Sequence, residues 1–225
     1  MKTNKLSFIA FASLLALVAL PVILRSVQSR KEKTLSPSSS EKAGQARLVI
    51  ITPHTESIRY EFERAFRAHI METLGRELVI DWRMPGGTSD IVRYVDDRFA
   101  SEFRKAWEKT PGFPEWSELI AESFANPKLD SPEGNPAPVA LQARKFFLDS
   151  DIGIGIDLFF GGGQYEMDKM AKKGFAVDAG LLKSHPEWFT EDIIPQKFSG
   201  EIFYDPKGRY YGTCISSFGI FYNQD

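Results

Sequence analysis

Three short stretches of the chain combine hydroxyl, imidazole, amide and glycine residues in a way that suits ligand binding: Thr52-Pro53-His54-Thr55, Gly86-Gly87-Thr88-Ser89 and Gly161-Gly162-Gly163-Gln164. Each follows an apolar run and precedes an amphipathic one, so each reads as the carboxyl end of a strand passing into the amino end of a helix. Such ends present unpaired N–H groups and about half a positive charge, which favours an anionic or strongly polar ligand. The hydroxyls of Thr52, Thr55, Thr88 and Ser89 add donors and acceptors. Gly87, Gly161, Gly162 and Gly163 let backbone approach a ligand closely, and Gln164 supplies an amide. His54 is the candidate metal ligand of the set. Ordinary roles compete with these. Thr55, Thr88 and Ser89 serve equally well as helix caps, the glycines as a tight turn, and His54 as an exposed loop side chain. His69 within a helix and His185 beside a proline read as structural or exposed, and Cys214 in an apolar run reads as a core residue.

Motifs for covalent or cofactor chemistry are missing. A dinucleotide fingerprint needs glycines after the first strand, where Thr52-Pro53-His54-Thr55 has none. No phosphate loop, Gly-x-Ser-x-Gly elbow or His-Glu-x-x-His helix occurs. Asp81 and Asp157 lie in predicted strands, unpaired as acid and base and placed to contact helix ends. The Tyr210-Tyr211 pair can bind iron as phenolates, but beside Gly208 and Gly212 it reads rather as strand surface.

The elements that must position these groups alternate. Residues 48–51 and 78–82 are apolar runs of the kind buried on both faces of a parallel sheet, and 154–160 is a third. Between them, 56–74 carries Ile58, Phe62, Ala65, Phe66, Ile70 and Leu74 at helical spacing and ends at Gly75. A second helix starting at Thr88 or Ser89 carries Ile91, Tyr94, Val95, Phe99 and Phe103, and a third spans 164–173. This order predicts an α/β fold, an open and mostly parallel sheet with helices on both faces. Six of the 13 prolines fall within residues 111–138, which marks 105–140 as an insertion with short helices near 114–124 and 139–147. Residues 202–204 and 210–212 flank Asp205-Pro206-Lys207-Gly208 as a hairpin, and 214–222 reads as a final strand. The sequence stops directly after that strand, as expected of a truncated chain.

At 225 residues, 43% hydrophobic and 26% charged, the composition is that of a globular domain. Charge is uneven: residues 1–47 hold eight basic and two acidic side chains, leaving the remainder at −8. An acidic body argues against nucleic acid as partner. A single cysteine excludes an internal disulfide and a cysteine-rich zinc site. Residues 6–24 contain no charge and follow Lys2 and Lys5, so residues 1–25 read as an export signal or membrane anchor; nineteen residues cover roughly 28 Å, close to the hydrocarbon thickness. Residues 26–46 turn to Ser, Lys, Glu and Gln and read as a flexible spacer, placing a folded part from residue 47 onward outside the cytoplasmic membrane, in the periplasm or its equivalent.

The segment 48–55 with its following Phe62–Phe66 helix, the run Asp157-Leu158-Phe159-Phe160-Gly161-Gly162-Gly163, and Gly208-Arg209-Tyr210-Tyr211-Gly212 leading into Phe218-Gly219-Ile220-Phe221-Tyr222-Asn223 together resemble the family 1 extracellular solute-binding proteins of ABC importers, in the ferric-iron-binding-like group. The resemblance covers most of residues 48–225 outside 105–140. It implies the first lobe of a periplasmic-binding-protein type II fold, with the second lobe missing. It also implies no chemical step: a small anion or ferric iron is gripped and delivered to a permease and ATPase, with iron as cargo rather than cofactor. His54 stands in the first loop, where such relatives place a histidine ligand. Tyr210-Tyr211 precedes the crossover to the second lobe and does not match their tyrosine pair. The alternatives are an exported or membrane-anchored enzyme of doubly wound α/β fold, using His54 and Asp157 at the same edge, and a purely structural envelope protein.

Overall fold

The first strand, β1 (Gln45–Ile51), is central to a three-stranded parallel sheet of order β2-β1-β3, with β2 at Glu77–Arg83 and β3 at Leu158–Phe159. This computed structural model describes residues 45–214. Parallel pairing sets Ile50 beside Leu158 and Ile51 beside Phe159. Successive side chains of a strand point to opposite faces, and the two neighbouring isoleucines accordingly enter different cores. Ile50 joins Leu78 and Ile80 on one face, with Ile70 and Trp82 packed against them; Ile51 joins the larger core on the other. The chain is thus an α/β protein with helices on both faces of a small sheet.

The larger core is organised by α2 (Thr88–Lys109), whose Ile91, Val95, Phe99, Phe103 and Trp107 recur every fourth residue and are all buried. That spacing keeps them on one face of the helix. Facing them are Ile120 of α3 (Glu118–Ser123), Phe124, then Ala143 and Phe147 of α4 (Pro138–Leu148), and Met170 of α5 (Gln164–Lys173). Phe103 stacks on Phe124 at 4.5 Å and Phe99 on Phe175 at 4.1 Å, with Phe147 edge-on to Phe103 at 5.8 Å. Such pairs add about 0.5–1.5 kcal/mol each beyond their area burial. Residues 105–140, expected as an insertion, contribute Trp107, Ile120, Phe124 and Ala140 to the buried set.

Other expectations meet the structure unevenly. α1 (Glu56–Leu74) begins and ends where the periodicity places it, closed by Gly75 in the left-handed conformation. None of its residues is buried, however, and Phe62 and Leu74 remain 52% and 62% exposed. A sheet of three strands, one of them two residues long, offers too little surface to cover that stripe. The third apolar run is a strand only at Leu158–Phe159, and upstream of it Gly155 takes a φ of 71° that an extended strand does not accommodate. Gln45 and Ala46, expected in the spacer, belong to β1. The leader, residues 26–44 of the spacer and the last strand beyond Cys214 lie outside the described residues. Cys214 itself is exposed, not a core residue. Among the described residues no helix is long and apolar enough to cross a membrane.

One buried cation ties the larger core together. Arg144, 3% exposed, forms a bidentate pair with Asp130 (2.7 and 2.9 Å) and donates to the carbonyls of Phe124, Lys172 and Lys173. It thereby caps the carboxyl end of α5, where unpaired carbonyls attract positive charge. Replacing it leaves those carbonyls without a donor. Arg144→Met is expected to lower unfolding free energy by about 3 kcal/mol, measured by urea denaturation. Lys145→Met, which removes only the exposed pair with Asp149, should cost less than about 1 kcal/mol.

Candidate functional site

The loop after β1 is shaped by Thr52. Its amide donates to the Arg83 carbonyl at the end of β2 (3.0 Å), and its fully buried hydroxyl accepts from the His54 amide at 3.2 Å. Thr52 therefore orders the loop from inside. His54, half-buried, lies edge-on to Phe160 at 4.8 Å, and Phe160 in turn packs against Phe62 of α1 at 4.6 Å. The imidazole covers Gly161 so closely that a Cβ there would stand 2.7 Å from Nε2. Gly161 has a φ of 103°, a conformation glycine adopts without strain. Its neighbour Gly162, at φ 88°, sits where a Cβ would be 3.1 Å from Thr88 Cγ2. The third junction therefore touches both of the others, and the three loops share one rim at the carboxyl ends of β1, β2 and β3.

The helix starts at this rim are left largely open. Thr55, Gly87 and Gly163 are the N-caps of α1, α2 and α5, and none supplies a side-chain cap bond. The Thr55 hydroxyl pairs with Ser57 at 3.2 Å. Thr88 and Ser89, expected as caps, are instead the first two residues of α2, and Asp90 accepts from the Gly87 amide at 3.1 Å. Each first turn carries one carboxylate, Glu56, Asp90 or Glu166. These offset the positive helix ends, so the rim is polar rather than strongly cationic.

Gln164 opens α5 and reaches Tyr210, its Nε2 standing 3.5 Å from the phenol oxygen. The tyrosine pair is not strand surface: Tyr210 is 8% exposed, and burial pushes the Tyr211 phenol up, which keeps it neutral. The hairpin forms in part: Tyr204 is bridged to Tyr211 and the Asp205 amide donates to the Tyr210 carbonyl, whereas Ile202, expected in its first strand, pairs antiparallel with Lys197. Asp205 and Arg209 lock it through Nε–Oδ2 at 2.6 Å and Nη2–Oδ1 at 3.0 Å, while Nη1 donates to the Ala171 carbonyl at the end of α5. Asp81 and Asp157 do not contact helix ends. Asp81 pairs with Arg47 and Arg83, and the Asp157 carboxylate accepts from the Val49 amide, fastening β3 to β1. His69 is exposed on α1, and His185 stacks on Trp188.

Sequence reasoning found His54, Thr88 and the glycines but missed Phe160 and Phe62, which pack behind His54, and read Tyr210, which meets Gln164, as strand surface; Phe160 lay in plain view, directly before the first glycine. Among the described residues no three His, Cys, Asp or Glu side chains gather as a metal site. No family model, curated protein or solved structure compared with this chain matches it.

Gly161→Ala must move the His54 ring or strain the turn. It is expected to cost about 1–3 kcal/mol and to shift the His54 imidazole resonances; an unchanged melting curve with unchanged resonances would contradict the packing. The Arg209 guanidinium holds the Asp205 carboxyl below the usual range. A depressed folded-state pKa stabilises the fold above the ordinary aspartate value of about 3.9, and that contribution fades as pH falls through the folded-state value. Asp205→Asn should therefore lose stability at neutral pH and show a flatter decline below about pH 4 than the parent, as read from urea midpoints between neutral and acid pH.

Proposed function

We propose that the chain supplies a ligand-gripping lobe of an extracytoplasmic solute-binding protein serving an ABC importer, its permease and its ATPase, with the geometry of a type II periplasmic-binding-protein first lobe. The observation that carries this reading is the convergence of three strand-to-helix junctions on one rim, seen in the approach of His54 to Gly161 and of Thr88 to Gly162. Ligands of open parallel sheets bind outside the carboxyl ends of the strands. The uncapped amides of α1 and α5, the His54 imidazole, Thr88 and the Gln164–Tyr210 pair are the groups that meet a solute there. A carboxylate in each first turn makes a polyphosphate a poor fit. A singly charged organic acid, or ferric iron accompanied by an anion, fits better. In the iron case His54 supplies one ligand and the anion others, since the described residues gather no cluster of three metal-ligating side chains.

Binding that favours the folded state raises stability by about 2.7 kcal/mol when ligand is a hundredfold above Kd. Thermal melts of the full chain with ferric citrate, inorganic phosphate and a panel of small organic acids are expected to show a saturable rise with at least one, abolished or strongly reduced in His54→Ala. If no compound stabilises the protein, the binding reading fails. If a compound is instead consumed, with His54-dependent product formation, the rim belongs to an enzyme.

A further inference from the structure

At the far end of α2 from the rim, the helix stops at Lys109 and the chain doubles back across its own last turn. The Thr110 amide donates to the Trp107 carbonyl, its hydroxyl to the Ala106 carbonyl, and Gly112 takes a φ of 82° to reverse direction. The Trp107 indole N–H then donates to the Pro114 carbonyl at 2.9 Å and fixes the returning chain. Between helix and returning chain lies a crevice of about 310 Å³, whose walls include Trp107, Phe113, Trp116, Glu108 and Glu115. Twenty-two residues of helix at 1.5 Å per residue put it roughly 30 Å from Thr88, so it is separate from the rim.

We infer that this crevice is a binding site for a small organic cation of the quaternary or alkylated ammonium class. Its walls combine aromatic faces with carboxylates. Phe113 leans on Trp107 at 4.5 Å and 60°, and Trp116 is half-buried against Phe103 at 6.0 Å. The protein already uses the same chemistry beside the crevice: the Arg104 guanidinium lies 5.5 Å from the Trp116 ring centre while its Nε donates to Glu108 at 2.8 Å. Glu115 makes no ion pair among the described residues and is exposed at the crevice mouth. Glu108 is held by Arg104, so Glu115 is the carboxylate left to meet a cation. An alkylated ammonium sheds its weakly held water readily and is attracted by the ring quadrupoles, whereas a neutral molecule of the same shape lacks that attraction. The rings, held by the Pro114 hydrogen bond and by packing on Phe103, are ordered before a ligand arrives, which lowers the entropic cost of binding.

The test uses the full chain with tetramethylammonium, choline and the neutral choline isostere 3,3-dimethylbutan-1-ol, following tryptophan fluorescence and the indole N–H resonances. Choline and tetramethylammonium are expected to bind saturably, with a Kd of order 1 mM, and the neutral isostere at least about tenfold more weakly. Glu115→Gln, at an exposed position, should weaken choline roughly threefold; Trp116→Phe should weaken it modestly and Trp116→Ala by about tenfold or more. His54→Ala at the rim should leave choline binding unchanged. Three results would overturn the assignment: no saturable change with either cation, equal binding of the neutral isostere, or undiminished binding in both Glu115→Gln and Trp116→Phe.

Discussion

β1 is paired along both edges and packed on both faces, and the sheet and its two cores take their places from it. Its edges meet β2 and β3, and its neighbouring Ile50 and Ile51 enter two different cores. A strand so enclosed must be apolar on both sides, and Leu48-Val49-Ile50-Ile51 satisfies that. Because β2 and β3 run parallel to it, the loops that leave the three strands emerge at the same edge. The rim is a consequence of strand direction, before any side chain there is considered.

Side chains then determine how closely the loops approach. α5 is gripped at its carboxyl end by two guanidinium groups, Arg144 on the Lys172 and Lys173 carbonyls and Arg209 on that of Ala171. With that end held, the opposite end of the helix, carrying Gly163 and Gln164, has little freedom to leave the rim. The glycines before it bring backbone against His54 and Thr88, a distance any larger residue would increase. Buried charge is thus used at the helix end remote from ligand, and polar but nearly neutral surface at the end that faces it.

The two faces of the sheet differ in thickness. One is covered by α2, α3, α4 and α5 with a dense set of aromatic contacts; the other meets α1, whose apolar stripe stays partly in water. The crowded side is also where α2 runs far enough past the sheet to meet the returning chain and form the aromatic crevice. Rim and crevice are opposite ends of the same helix, and differ in what they offer: amides and an imidazole at one, rings and carboxylates at the other.

Periodicity and end signals in the sequence determined α1 and α5 to the residue, because helical spacing and a closing glycine at 75 or 174 are local properties that need no partner. They also placed all three junctions, including His54, Thr88 and the run of glycines. Tertiary structure alone decided the rest. How deeply the α1 stripe is buried depends on the width of the sheet opposite. The proline-rich segment 105–140 enters the core because Phe124 finds Phe103 across the interior, and Tyr210 joins the rim because a hairpin 46 residues from Gln164 is pinned by Arg209. Each of these is a contact between residues distant in the chain. A linear pattern carries the preference of a residue for burial, but not the identity of the neighbour that provides it.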